Sequence, residues 1–255
     1  MNNDRGRNFD GKVIIITGAG SGMGRSHALA MAAQGGHVVA HDINADAAEG
    51  TVDAIGAAGG HAQSWVGDIA DVSAVQKQVS KLAAELGGID VLINNAGFVS
   101  PGQTPDIDEA AFDRMFDVHV KGTFFVTRAC IEPMRARGGG AVVNISSTAG
   151  LVGHHHFPHY CAAKAALLGL TKAWAKEFAP ARIRVNAVAP GGVKTPLSIA
   201  EFGGEENLDR RAVEIPLGFY GQPSDVTPLV LFLASDESRY ITGQVISPNG
   251  GEIVT

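Results

Sequence analysis

The stretch KVIIITGAGSGMGRSHALAM, from Lys12 to Met31, constrains the fold more than any other. Val13 to Ile16 is an apolar run with no polar alternation, so both faces of that strand need cover, as in a parallel sheet sandwiched between helices. The run then passes through a glycine turn directly into an alanine-rich helix. The same grammar repeats along the chain. HVVAHD, HAQSWV, IDVLINN, AVVNISS, IRVNAVAP and QVISPNGG are further strand candidates. Between them SGMGRSHALAMAAQ, ADAAEGTVDAIGAA, DVSAVQKQVSKLAAEL, the segment 108–137, the segment that follows Tyr160, and PSDVTPLVLFLAS are long enough to be crossover helices. The expected fold is α/β: a doubly wound parallel sheet of about seven strands.

The chain has 255 residues, enough for one such domain, and no linker composition divides it. A polar tail is expected over residues 1–10 and a substrate lid over about 195–222, where no strong pattern appears. The formal net charge of −6, without a basic run, gives no reason to expect nucleic acid. The polar start MNNDRGRNFDGK and the lack of a long uncharged apolar run argue against a membrane partner and for the cytoplasm. Cys130 and Cys161 form no framework and read as packed thiols.

In the opening stretch Gly18, Gly22 and Gly24 let the backbone and a helix N-terminus approach a pyrophosphate, whose charge the helix dipole favours. Ser21 and Met23 belong to the same turn. Asp42 ends the second apolar run, where a carboxylate can accept hydrogen bonds from ribose hydroxyls and repel a 2′-phosphate. Neither Ser21 nor Ile43 offers a cation to a 2′-phosphate, which points to NAD over NADP. The other reading of Asp42 is a cap on the helix that DINADAAEG opens.

GHHHFPHYCAAK places His154, His155, His156 and His159 around Tyr160, with Lys164 one helical turn beyond it. Adjacent histidines on a loop diverge and no cysteine pair closes them, so no metal is expected. An ammonium beside a phenol favours phenolate and makes a tyrosine, ordinarily near pKa ~10, usable as a general acid or base. An amphipathic surface pair has the same spacing, so Tyr160 and Lys164 alone leave both readings open.

TGAGSGMG, NNAG (Asn94 to Gly97), a serine thirteen residues before Tyr160, YCAAK and PGGVKT follow one another in this order and together resemble the short-chain dehydrogenase/reductase family from Lys12 to Gly251. The resemblance implies a Rossmann-type single domain and reversible oxidation of a secondary alcohol. Tyr160 would be the proton donor or acceptor, and Ser147 rather than Ser146 would hold the substrate oxygen. Lys164 would lower the tyrosine pKa and bind the nicotinamide ribose. It also implies that Asp68 and Ile69 flank the adenine, that Asn95, Ala96 and Gly97 face the adenosine side, and that Pro190, Gly191, Val193 and Thr195 face the nicotinamide. Asn94 and Asn95 have a second reading as cross-links between strands, and Pro190-Gly191 as an ordinary turn. Relatives are commonly homotetramers packed through the helices containing His119 and Tyr160 and through the last strand.

Three positions depart from the family pattern. His119 stands where most relatives carry an asparagine that helps to hold a water linked to the lysine; histidine can hydrogen-bond there and titrate near neutrality, or can be a core histidine. A histidine there also resembles the (3R)-hydroxyacyl-CoA dehydrogenases of multifunctional β-oxidation enzymes, which keeps an acyl thioester substrate open. Phe219 replaces a frequent arginine and Asn249 a frequent aspartate, the latter at an expected subunit boundary. By the same resemblance the histidine loop lines the substrate pocket, with His154, His155 and Phe157 as its expected wall. An NAD-binding regulator without chemistry is the non-enzyme alternative, and the retained Ser147, Tyr160 and Lys164 weigh against it.

Overall fold

The computed structural model describes residues 8–254, and among them seven strands make one sheet. They are β1 (Val13–Thr17), β2 (His37–Asp42), β3 (His61–Val66), β4 (Val91–Asn94), β5 (Gly140–Ile145), β6 (Ile183–Val188) and β7 (Val245–Ile246). Their spatial order is β3-β2-β1-β4-β5-β6-β7, with every neighbouring pair parallel. β7 is short because Pro248 follows without a donor, and Gly250 and Gly251 turn the chain at φ 64° and 89°.

The helices in chain order are α1 (Gly22–Ala33), α2 (Ala45–Ala57), α3 (Val72–Leu86), α4 (Glu109–Phe116), α5 (Thr123–Ala136), α6 (Ala149–Val152), α7 (Pro158–Glu177), α8 (Pro196–Glu201), α9 (Glu205–Arg211) and α10 (Pro223–Ala234). Side chains alternate across the pleat and so feed two cores. Ile14, Ile16, Val38 and Ala40 pack with Ala28 and Met31 of α1 and Val226 and Val230 of α10. Ile15, Val39 and Leu92 face the other way, onto Val79 and Leu82 of α3, Val126 of α5 and Trp174 of α7. The apolar run of β1 is thus buried on both faces, each isoleucine contributing roughly 1.5–3 kcal/mol.

Three local features differ from expectation. The long helix expected over 108–137 divides into α4, a π-helical segment Asp117–Gly122 and α5. Gly122 lies where a Cβ would stand 2.8 Å from the Ile69 side chain, so the chain passes close against the end of β3, and the widened turn keeps Val118 and His119 buried. The expected tail ends earlier than residue 10. Residues 1–7 lie outside the described residues, but Phe9 is 1% exposed and its amide bonds the Gln34 carbonyl, so the domain already includes it. The lid region is also more regular than its pattern suggests. Thr195 and Ser198 form a capping box at the start of α8, and Lys194 pairs with Glu205 and Asp209 of α9.

Candidate active site

The chain leaves β1 and β4 toward opposite sides of the sheet, and side by side these strands open a crevice at their carboxyl ends. A cavity of about 510 Å³ occupies it. Gly18, Ser21, Gly22, Met23, Asp42, Ile43, Asp68, Ile69, Asn95, Ala96, Gly97 and Thr195 all line it, as the sequence suggests. Gly24, Tyr160, Lys164, Pro190, Gly191 and Val193 do not line this cavity. Gly24 lies beneath the turn, and Gly191 is packed against Asn249 and Glu252. His41, Phe98, Arg114 and Leu197 join the wall without a sequence signal.

The turn is built for close approach. A Cβ on Gly24 would lie 2.1 Å from the Gly18 carbonyl oxygen, and Gly18 and Gly22 have φ of 67° and 52°. Asn95 Nδ2 donates to the carbonyls of Thr17 and Gly18 at 3.0 and 3.1 Å, while Thr17 Oγ1 accepts from the amides of Asn95 and Ala96, both at 3.0 Å. Asn95 is therefore both wall and brace. At the start of α1 Ser21 makes no side-chain cap and the first turn holds no acid, which leaves the leading N–H groups and the dipole for an anion. Asp42 Oδ2 accepts from Gly20 N at 2.9 Å and Oδ1 from Asn44 N at 3.0 Å. The cap of α2 is Asn44, whose side chain accepts from Ala47 N, so Asp42 is not the cap but a carboxylate fixed at the cavity wall. Asp68 is ion-paired with Arg114 at 2.9 Å. These residues fit a dinucleotide: a Cβ-free cradle and a bare helix start for its phosphates, and a braced carboxylate for a ribose.

The second cluster stands where β5 ends and α7 begins. Ser146 is buried and donates to the Lys164 carbonyl at 2.8 Å, so its hydroxyl is committed to the backbone. Ser147 is half-buried, accepts from Ala149 N at 3.1 Å and lies near enough to Tyr160 to lower the affinity of its phenol for the proton. Lys164 is buried; its Nζ donates to the Ile145 carbonyl at 2.9 Å and lies 5.6 Å from the centre of the Tyr160 ring. The three groups thus converge, and the surface-pair reading of Tyr160 and Lys164 falls. Their proton affinities differ from the sequence expectation. Burial pushes the Tyr160 phenol up to about 12, the Ser147 side chain pulls it partly back, and Glu201 and Cys161 raise it further. Burial also lowers Lys164 to about 7, so near neutrality the lysine is not a full cation and does not depress the tyrosine.

His119 meets Tyr160 edge-on, with ring centres 5.5 Å apart, and lies against Gly97, where a Cβ would come within 2.3 Å of it. Nε2 is 2.9 Å from the Phe98 carbonyl oxygen and 3.1 Å from the Phe98 amide; the tautomer decides which of the two is the hydrogen bond. Nδ1 is buried with no partner among the described residues. Burial first, then Lys164, hold this imidazole well below its ordinary range, so it is neutral at pH 7 and does not titrate there.

In the loop between Ser147 and Tyr160, His154 stacks on His155 with ring centres 4.9 Å apart, and His156 lies tilted against His155 at 4.0 Å. His154 is half-buried and packs on Phe157, which is buried and 6.4 Å from the Tyr160 ring; His155 is exposed. Among the described residues no group of three or more His, Cys, Asp or Glu is arranged to hold a metal ion. Both cysteines are free thiols. Asn94 Nδ2 bonds Thr127 and Asn144, so it is a strand cross-link, as its second reading has it. Asn249 ties the last turn to Ser247, Gly251 and Ile253, and Phe219 is exposed on the lid.

Residues 18–252 match a family model described as enoyl-(acyl carrier protein) reductase. The chain is 40% identical over 248 residues to the 3-oxoacyl-[acyl-carrier-protein] reductase FabG of Thermotoga maritima, covering 96% of this chain and 99% of that one. It is 40% identical over 236 residues to the cyclohexanol dehydrogenase of an Acinetobacter species, covering 92% of each. A crystal structure of a short-chain type dehydrogenase/reductase from Mycobacterium marinum superposes with a TM-score of 0.92 at 35% identity, over 99% of this chain and 100% of that one. A Beutenbergia cavernae structure, described as an NAD(P)-dependent gluconate 5-dehydrogenase with NADP at low occupancy, gives 0.91 at 33% identity, over 97% and 99%.

Proposed function

The chain belongs to the short-chain dehydrogenase/reductase family, and from that premise we propose that it interconverts a secondary alcohol and a ketone with NAD as cofactor. The observation that carries this reading is the convergence of Ser147 and Lys164 on Tyr160 beside the cleft of about 510 Å³ that the glycine turn and Asp42 line. Bound in that cleft, a nicotinamide cofactor would supply the hydride acceptor or donor. The chain's own residues do the rest. Tyr160 Oη takes the hydroxyl proton as phenolate during oxidation and, as phenol, gives one back during reduction. Ser147 donates to the same oxygen and stabilises the charge that develops on it. Lys164, anchored on the Ile145 carbonyl, would hold the nicotinamide ribose and, once charged, would favour the phenolate. His119 packs the tyrosine ring in place as a neutral imidazole.

Support for NAD over NADP is the Asp42 carboxylate, which both backbone amides around it hold in place. The cation on the cleft wall, Arg114, is engaged by Asp68. Titrating the protein with NADH and NADPH by fluorescence tests this: tighter NADH binding that reverses or levels in Asp42→Ala supports it, and tighter NADPH binding to the unaltered protein overturns it.

The second reading is a (3R)-hydroxyacyl thioester dehydrogenase or 3-oxoacyl reductase, favoured by the likeness to the Thermotoga FabG. Comparing turnover of a 3-oxoacyl thioester with that of a cyclic ketone separates the two. No helix among the described residues is long and apolar enough to cross a membrane. From the family resemblance we propose a cytoplasmic homotetramer. Exposed Phe112 on α4, Phe124 on α5 and Val254 supply apolar surface for such contacts. A stable active monomer in a size measurement would overturn the assembly.

A further inference from the structure

A second cavity, of about 520 Å³, lies at the amino ends of the strands, where β4, β5 and β6 begin, whereas the cofactor cleft opens at their carboxyl ends. The two share no lining residue, and Ser147, Tyr160 and Lys164 do not reach the second one. Its wall carries five cations, Lys12, Arg137, Arg182, Arg184 and Arg239, against two carboxylates, Asp90 and Asp236. This excess of positive charge stands in a chain whose formal net charge is −6.

The wall does not neutralise its own cations. Asp90 is buried and already shared: Arg137 donates to it from Nε at 3.2 Å and Nη2 at 3.0 Å, the Val13 amide donates at 2.9 Å, and Lys12 Nζ stands 3.7 Å away. Arg184, half-buried, spends its guanidinium on neutral groups, the carbonyls of Leu233 and Ser235 and the Ser238 hydroxyl, each at 2.8 Å. Among the described residues Arg182, Arg184 and Arg239 have no ion pair, and Asp236 pairs with no cation. Arg182 is also the only non-glycine residue among those described at positive φ, 57°, on the turn from Ala181 into β6. Glycine would take this conformation without a Cβ clash. A strained backbone that presents a guanidinium at a cavity is the kind of outlier that marks a ligand contact.

We propose that this cavity is a binding site for a small, multiply charged phosphate: a diphosphate, or the polyphosphate of a nucleotide. Guanidinium forks fit phosphoryl oxygens, and several of them around one concave wall favour a compact polyanion over a single carboxylate. The acidic face of a protein would meet exposed Arg182 and Arg239 more readily than half-buried Arg184.

Calorimetric titration with pyrophosphate, with and without saturating NADH, tests this. Pyrophosphate should bind at a single site per chain, about tenfold or more tightly than orthophosphate, and NADH should leave that binding unchanged. Arg182→Gly should weaken it about tenfold without lowering the urea midpoint, because glycine relieves the strained turn. Adding Arg239→Gln should weaken it further. Lys81→Gln on α3 removes the same charge outside the cavity and should change binding by no more than about twofold. ATP that binds as tightly as pyrophosphate assigns the site to the phosphates alone, and tighter binding of ATP assigns it to a nucleotide. Absence of pyrophosphate binding, binding that NADH abolishes, or equal losses in Lys81→Gln and Arg182→Gly overturn the proposal. So does a hexaglutamate peptide that binds as tightly as pyrophosphate, which would point to an acidic protein instead.

Discussion

The cofactor half and the substrate half of this molecule hold their shapes by different means. Around the glycine turn the contacts are made to backbone: Gly24 lies against the Gly18 carbonyl, Asn95 bridges that carbonyl and the Thr17 carbonyl, and Asp42 is held by two amides. Little there can be moved without a clash. Around Tyr160 the contacts are between side chains, with His119 and Phe157 meeting its ring at 5.5 and 6.4 Å, and the lid exposes Val213, Leu217 and Phe219. Backbone geometry suits a ligand part common to many enzymes, whereas exchangeable side chains suit the part that differs among them.

The largest expected effect falls on chemistry alone. Tyr160→Phe removes the proton-transfer oxygen and should lower kcat about 10²- to 10⁴-fold, while NADH binding, measured by fluorescence, stays close to that of the unaltered protein. A matching loss of NADH binding would show that the two halves are not separable. Next is Gly24→Ala, whose methyl has no room beneath the turn. It should destabilise by about 1–3 kcal/mol or more in urea unfolding and abolish measurable NADH binding. A variant that binds normally would mean that the turn is softer than its contacts indicate.

Stability against pH sharpens the contrast through Lys164, whose folded pKa is lowered to about 7 from its ordinary 10.5. Between those values the unfolded chain binds more protons, so stability rises with pH across the window, by up to about 1.4 kcal/mol per unit. Below pH 7 the full penalty of burying the cation is present. Tyr160, shifted up from 10.0 to about 12, acts in the opposite direction only above pH 10. Urea unfolding of the cofactor-free protein between pH 7 and 9 should show the rise, and Lys164→Met should flatten it; parallel curves would rule out the buried-cation account. The smallest effect is a control for the glycine turn. Gly169, inside α7, has nothing within 4 Å of its absent Cβ, so Gly169→Ala should stabilise by about 0.5–1 kcal/mol. The same substitution thus has opposite signs in the two places.

Much of the frame was legible because period and local chemistry encode it. All seven apolar runs correspond to strands, and twelve of the cofactor-facing residues expected from the motifs line one cavity. The break in the long helix at Asp117–Gly122 was not legible, since its apolar pattern continues through the π turn and only the close pass of Gly122 by Ile69 marks it. Arg114 was missed for a similar reason: its partner Asp68 lies 46 residues away, and nothing local to either residue announces the pair.

What the sequence determined by itself was the order of strands and helices, the Cβ-free turn, the acid at the end of β2 and the serine, tyrosine and lysine in their spacing. These depend on what each residue is and on its near neighbours. Only the tertiary structure decided which protons those groups keep. Lys164 is lowered, His119 stays neutral and Tyr160 is raised because each is surrounded by elements remote in the chain that exclude water, and desolvation depends on that enclosure rather than on spacing. It likewise decided that the Arg211 guanidinium lies over the Phe202 ring with its Nε shielded from water, since nine positions of lid separate the two in the chain.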